Sequence, residues 1–124
     1  MSSKQQRRLG PSRTGTTHFW HQRLTAIALI PLTLFFVGLL PNLAGATHRE
    51  FVTLMHFPVT PILLVLLVGV GLWHMKLGLQ TIIEDYVHGE GCKLALQITM
   101  TFGTVLLGVA GVIALVMLAA MPPA

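Results

Sequence analysis

Four polar side chains within a long apolar run or just after it have the types and spacing to do chemistry: His74, Lys76, Asp85 and Tyr86. His74 lies near the middle of the run, where an ionisable group is costly and is by default a candidate for function. A neutral imidazole can bind a metal through one ring nitrogen and form a hydrogen bond through the other. Within a membrane, the usual target of such a nitrogen is haem iron. The alternative is a histidine that hydrogen-bonds a carbonyl group of another helix.

Two glycines flank this histidine at helical spacing. Gly71 and Gly78 lie about one turn to either side of His74, within about 60° of it around a helix. They would leave the face around His74 bare of side chains, and a flat macrocycle needs that clearance. Glycines also let membrane helices approach closely. The pattern therefore fits either a haem slot or a helix-packing surface.

An acid and a phenol lie at the end of the same run. Asp85 follows His74 by eleven residues, so on a helix it returns to nearly the same face, about 16 Å along the axis. A phenol such as that of Tyr86 can donate a hydrogen bond to a carbonyl oxygen, and a carboxylate can relay protons. A quinone head group at the membrane edge needs both when it is reduced. The alternative is an ordinary helix end, since tyrosines are frequent at membrane interfaces.

Two cations complete the set of candidates. Arg23 lies at the start of an earlier apolar run, just after His18 and His21, where it can bind an anion such as a haem propionate. The alternative is an arginine that reaches to the membrane surface. Lys76 lies about 200° from His74 around the helix. The pattern gives Lys76 no role.

The composition indicates what kind of molecule carries these residues. The chain has 124 residues, of which 53% are hydrophobic and 10% are charged. Soluble domains carry about 25% charged residues, so we expect a membrane protein in contact with lipid. The basic residues cluster near the N-terminus, which we interpret as a membrane-surface segment and not as a nucleic-acid-binding one. The single cysteine, Cys92, excludes a disulfide within the chain.

Apolar runs predict an all-α fold with three transmembrane helices. Each run is long enough to cross about 30 Å of hydrocarbon. We expect Pro31 to kink the first helix and Pro41-Asn42 to end the first span. The predicted spans are residues 24–40, 59–83 and 94–121. Residues 1–17 are predicted to form a basic cytoplasmic segment, and residues 18–124 the three-helix unit.

The charges predict an orientation. Most basic residues precede or begin the first span, and Lys93 lies in the loop between the second and third spans. The positive-inside rule therefore places the N-terminus and the 84–93 loop on the cytoplasmic side. Asp85 and Tyr86 then lie at the cytoplasmic end of the second span, and the 41–58 connection faces outward. We expect a bacterial cytoplasmic membrane, because a mitochondrial homologue usually carries a longer presequence.

On these residues the chain resembles the hydrophobic membrane anchor subunit of succinate dehydrogenase, the D-type anchor of respiratory complex II. The pattern H-x3-G-x6-D-Y-V is formed by His74, Gly78, Asp85, Tyr86 and Val87. The segment QRLTAI at the first span is similar to the R-x-T-A-I motif of that family. The resemblance extends over most of the chain, although its specific motifs occupy a small part of it.

The resemblance implies cofactors and partners. In that family the anchor and a C-type cytochrome b subunit form a helix bundle, of which this chain would supply half, around one haem b. His74 would be an axial ligand of the haem iron, and the C-type subunit would supply the second ligand. Arg23 would lie near the haem propionates. Asp85 and Tyr86 would form part of a ubiquinone site next to the iron–sulfur subunit, which receives electrons from the flavoprotein subunit.

The implied activity is succinate dehydrogenase (quinone), carried out by the whole complex and not by this chain alone. A fumarate reductase anchor, which works in the reverse direction, is the nearest alternative. Two alternatives from other classes are a small membrane transporter and an assembly subunit that binds no cofactor. Small drug exporters usually carry an acidic residue inside a span, and the predicted spans contain none.

Overall fold

The computed structural model of the chain describes residues 13–123, which form four helices and, within that range, no strand. Three of the helices are long and apolar enough to cross a membrane. This confirms the predicted all-α fold with three long apolar helices. The helices are α1 (Arg13–Leu43), α2 (His48–His56), α3 (Val59–Tyr86) and α4 (Glu90–Ala119).

Helix α1 begins well before the predicted first span. It starts at Arg13, so the helix carries His18 and His21, which the prediction placed ahead of the span. Its 31 residues correspond to about 46 Å at 1.5 Å per residue, more than the roughly 30 Å of a hydrocarbon core. The additional turns therefore extend into the polar surface region. Residues 1–12 of the predicted N-terminal segment lie outside the described residues.

The prolines do not interrupt α1. Both Pro31 and Pro41 lie inside the helix, which continues to Leu43, one residue past the Pro41-Asn42 pair predicted to end the first span. The amide of Ala44, the first residue after the helix, still donates to the Leu40 carbonyl at 2.9 Å. The turn that follows depends on Gly45, whose φ of +80° is one that residues with a side chain rarely adopt.

Helix α2 lies in the 41–58 connection, where the sequence analysis predicted no helix. Val52 and Met55 are buried on one face of α2, each with 2% exposure. Thr47 and Glu50 form a capping box at its start. The Glu50 amide donates to the Thr47 hydroxyl at 3.3 Å, and the Thr47 amide donates to the Glu50 carboxylate at 2.8 Å. The T-x-x-E spacing is a known signal for a helix start.

Helix α3 is the centre of the fold. It packs against α1 on one side and α4 on the other, while α2 touches both α3 and α4. Few side chains are fully buried, and most of the large apolar ones remain exposed. Apolar side chains gain nothing by leaving lipid for one another. Helix association in this protein therefore depends on close packing and on polar contacts between helices.

Close packing of α3 on α4 depends on two glycines. A Cβ atom at Gly111 would lie 3.2 Å from Cγ1 of Val68, and one at Gly108 would lie 3.5 Å from Cδ1 of Leu72. A Cβ atom at Gly103 would meet nothing within 4 Å. Gly108 and Gly111 are thus packing glycines, whereas Gly103 is not one within this chain.

A matched pair of substitutions tests this contact. We expect Gly111→Val to be less stable than Gly103→Val by roughly 1–3 kcal/mol, the usual cost of overpacking a close contact. The two variants share the same change in helix propensity, so the difference reports on packing against Val68. Unfolding in mixed detergent micelles, followed by circular dichroism, measures it. Equal stability of the two variants would show that the contact does not limit helix approach.

We also expect the start of α2 to loosen in acid. Hydrogen bonds from the Thr47 amide and hydroxyl hold the pKa of the Glu50 carboxyl below its ordinary value of 4.5. A carboxyl with a lowered folded-state pKa stabilises the fold above its unfolded-state pKa, and that stabilisation is lost as the pH falls through the folded-state pKa. We therefore expect amide protection at Glu50 and Phe51 to decrease as the pH is lowered from about 6 to about 3. Hydrogen exchange measures this protection. In Glu50→Gln the amides should lack this acid-dependent step, and an unchanged profile would refute the assignment.

Candidate functional site

The centre of the site is a hydrogen bond between α1 and α3. The Nδ1 atom of His74 lies 2.9 Å from the hydroxyl oxygen of Thr25, and the contact is partly buried. This is the one hydrogen bond of the His74 ring among residues 13–123. Because it uses Nδ1, the other ring nitrogen, Nε2, is left for a ligand. The ring is half-buried in the isolated chain, so part of it remains accessible from outside.

The sequence analysis gave Thr25 no role. The two residues are 49 positions apart in the chain, and their contact depends on how α1 and α3 are aligned. The sequence shows the threonine in QRLTAI, but it does not show which residues of another helix the threonine contacts. No local pattern specifies which α1 residue faces His74, so the pairing was not available from the sequence.

The glycines near His74 face α1. A Cβ atom at Gly71 would lie 3.9 Å from Cδ2 of Leu29, and one at Gly78 would lie 3.7 Å from Nε2 of Gln22. Both distances are ordinary contacts with α1. They favour helix packing, the alternative to a haem slot, as the role of these two glycines. Any macrocycle at His74 would therefore approach from a direction other than the α1 side.

A polar stripe runs along α1 toward the site. His18, Gln22 and Thr25 follow the i, i+4, i+7 spacing that places side chains on one helix face. Within the described residues, Nε2 of His18 and Oε1 of Gln22 are buried without a hydrogen-bond partner. An unpaired buried polar atom costs about 1–3 kcal/mol. None of the described residues satisfies these two atoms.

The second candidate pair lies at the end of α3. Helix α3 runs without interruption from His74 to Tyr86. Helix geometry therefore holds His74 and the Asp85–Tyr86 pair about 16–18 Å apart. Tyr86 is the last helical residue and is 76% exposed, and Asp85 is also exposed. The neighbouring Glu84 accepts a hydrogen bond from Gln80 at 2.9 Å. This chain thus presents Asp85 and Tyr86 on an open surface, and other protein surfaces are required to enclose a ligand there.

Arg23 is not brought to His74. Its side chain is exposed, and its guanidinium carbon lies 5.2 Å from the centre of the Phe19 ring. Arg23 and Thr25 are two residues apart, which is about 200° around a helix. Arg23 therefore lies on the side of α1 away from the Thr25–His74 contact. Its assignment to a haem propionate stays a prediction.

Lys76 points away from the Asp85–Tyr86 end. Its ammonium nitrogen lies 5.0 Å from the centre of the Trp73 ring, three residues earlier in α3. Helical side chains lean toward the helix N-terminus, so this lysine is directed along α3 toward the level of His74. The ring of His21 lies against the same tryptophan, at 6.2 Å between centroids. The cation is thus held on an aromatic face within the span.

One surface cavity lies away from these residues. It has a volume of about 760 Å³ and lies between the end of α1 and α2, with Asn42, Arg49 and His56 in its lining. His74 lies elsewhere, near the middle of α3. Among residues 13–123, no group of three or more His, Cys, Asp or Glu side chains could hold a metal ion. His74 is therefore a single donor, which suits a metal whose other ligands come from elsewhere.

Comparison with known proteins gives a consistent match. A sequence model of the family described as succinate dehydrogenase/fumarate reductase transmembrane subunit matches residues 2–119. The chain is 30% identical over 95 residues to the succinate dehydrogenase hydrophobic membrane anchor subunit of Paracoccus denitrificans, covering 77% of this chain and 74% of that protein.

Two further relatives agree. The succinate dehydrogenase membrane anchor subunit of Reclinomonas americana is 30% identical over 86 residues, covering 67% of this chain and 72% of that protein. The hydrophobic membrane anchor subunit from Rickettsia bellii is 28% identical over 105 residues, covering 85% and 84%.

Proposed function

The chain belongs to the family of succinate dehydrogenase/fumarate reductase transmembrane subunits, and from that premise we propose that it anchors a succinate:quinone oxidoreductase. It is a multi-pass membrane protein of that family, with three spanning helices among the described residues. In the proposal it provides one haem b ligand and part of the ubiquinone-reduction site. The succinate-oxidising direction is supported by the relatives above, which are named as succinate dehydrogenase subunits.

The main observation in support of the proposal is the environment of His74: its position, its hydrogen bond and its exposure. The residue lies in the middle of a spanning helix, Thr25 engages its Nδ1, and the ring is half-buried, with a side accessible from outside the chain. A neutral imidazole with one nitrogen in a hydrogen bond is a suitable donor for haem iron. The residues therefore fit a haem whose second ligand comes from a partner.

The role of the chain at the haem is to bind and orient. Nε2 of His74 would ligate the iron, and α1 would fix the ring plane through Thr25. Arg23 is proposed to neutralise a propionate, since its exposed guanidinium can make paired hydrogen bonds to a carboxylate. When bound, the haem supplies a one-electron redox centre within the membrane.

The role at the quinone is to donate a hydrogen bond and handle protons. The Tyr86 hydroxyl would donate to a quinone carbonyl oxygen, and the Asp85 carboxylate would pass protons to the reduced oxygens. Two electrons from the iron–sulfur subunit and two protons convert the quinone to the quinol. Because both side chains are exposed here, we propose that the iron–sulfur subunit and the C-type anchor subunit enclose the site, and that a flavoprotein subunit oxidises succinate.

The proposed location is a bacterial cytoplasmic membrane with the N-terminus inside. The excess of basic residues before and within the start of α1 supports this orientation through the positive-inside rule. It puts the Asp85–Tyr86 end on the same side as the catalytic subunits. Electrons from succinate then reach the quinone without crossing the membrane.

Substitution of His74 tests the haem assignment. We expect His74→Ala in the purified complex to lose the b-type band of the reduced-minus-oxidised optical spectrum, because the alanine cannot ligate iron. His48→Ala is the control, since His48 is exposed on α2 and far along the chain from the site. Its spectrum should match the wild type. A normal b-type band in His74→Ala would refute the assignment.

Removal of one hydroxyl tests the quinone assignment. We expect Tyr86→Phe to slow quinone reduction roughly tenfold, the effect of losing one hydrogen bond of about 1.4 kcal/mol. Succinate oxidation by an artificial dye, which bypasses the quinone, should stay at the wild-type rate. Equal quinone rates in the two proteins would argue against a role for Tyr86.

A further inference from the structure

The Thr25 hydroxyl has three oxygen or nitrogen neighbours and one hydrogen. Its oxygen lies 2.6 Å from the His21 carbonyl, 3.1 Å from the Gln22 carbonyl and 2.9 Å from Nδ1 of His74. A carbonyl oxygen has no hydrogen to give. The 2.6 Å contact is therefore a hydrogen bond only if the Thr25 hydroxyl donates to it, which fixes where the single hydrogen lies.

The position of that hydrogen determines the protonation of the histidine. With the hydroxyl hydrogen on the His21 carbonyl, the Thr25 oxygen can only accept from His74, so Nδ1 carries the ring hydrogen. The opposite arrangement would leave two oxygen atoms 2.6 Å apart with no hydrogen between them. In a neutral ring with Nδ1 protonated, Nε2 bears the free lone pair.

We propose that Thr25 is the positioning residue that sets the tautomer and the ring orientation of His74, so that Nε2 is the donor toward the metal. The inference rests on the proposed haem ligation and adds a residue on another helix to it. Thr25 does not touch the metal and acts only through His74.

The hydrogen bond from the Thr25 hydroxyl to the His21 carbonyl, within α1, makes this arrangement rigid. A threonine that donates to the carbonyl four residues earlier has a restricted side-chain rotamer. The acceptor lone pairs of Thr25 are thereby held toward α3. The β-branched side chain is thus a better fixed acceptor than a longer polar residue would be.

Three variants of the assembled complex separate this role from a general effect on the helix. Thr25→Val keeps the shape and removes the hydroxyl, and Thr25→Ser keeps the hydroxyl. Thr104→Val is the matched control, because Thr104 is also half-buried and donates to the carbonyl four residues earlier, at 2.7 Å, with no histidine as partner.

The first measurement is haem retention, expressed as the ratio of haem to flavin after dilution in detergent. We expect Thr25→Val to weaken retention about tenfold, the low end of the effect of removing a group that orients a metal ligand. Thr25→Ser and Thr104→Val should retain haem like the wild type. In Thr25→Val the haem that remains should have a higher reduction potential, because without the hydrogen bond at Nδ1 the imidazole donates less electron density to the ferric iron.

The second measurement does not depend on haem. In the wild-type protein labelled with ¹⁵N-histidine and freed of haem, solid-state NMR in bilayers should show His74 with Nδ1 protonated, the signal being assigned by its loss in His74→Gln. Thr25→Val should yield a mixture of the two tautomers. A wild-type ring protonated at Nε2, or an unchanged signal and unchanged retention in Thr25→Val, overturns the inference. A haem band that survives in His74→Ala overturns the proposed function instead, so the two failures are distinguishable.

Discussion

The constraint behind this structure is that hydrocarbon offers no hydrogen bonds. Every backbone polar group must be satisfied within the chain, which dictates helices, and every polar side chain in a span must find a partner or a purpose. The Thr25–His74 hydrogen bond gives two such polar side chains, on two different helices, a partner within the chain. It joins α1 to α3 near mid-span and leaves one imidazole nitrogen available.

The way the helices pack also depends on the surrounding hydrocarbon. Because lipid is as apolar as leucine, burying apolar surface between helices gains little, and close approach matters more. Gly111 permits such an approach against Val68 on the α4 side of α3, while Gly71 and Gly78 lie in ordinary contact with α1 on the other side. The site and the packing thus share helix α3, whose continuity fixes the separation of His74 from Tyr86.

The unpaired features of the chain have a common physical meaning. Among the described residues, the buried polar atoms of His18 and Gln22 have no hydrogen-bond partner, and the half-buried His74 ring makes one hydrogen bond. The exposed Asp85 and Tyr86 have no enclosing wall of their own. A polypeptide whose polar groups are left in this condition is one part of a larger assembly, which agrees with its membership of a family of membrane subunits.

The sequence by itself determined the fold class, the three apolar helices and the spacing from His74 to Asp85 and Tyr86, because composition and helical periodicity are local properties. It did not reveal α2, although Thr47 and Glu50 carried the capping signal. It also placed the end of the first span at Pro41-Asn42, whereas α1 continues to Leu43. Only the tertiary structure decided that Thr25 faces His74 and that Gly71 and Gly78 face α1. Those contacts depend on the relative alignment of two helices, which is set by packing along their whole length and by no single stretch of sequence.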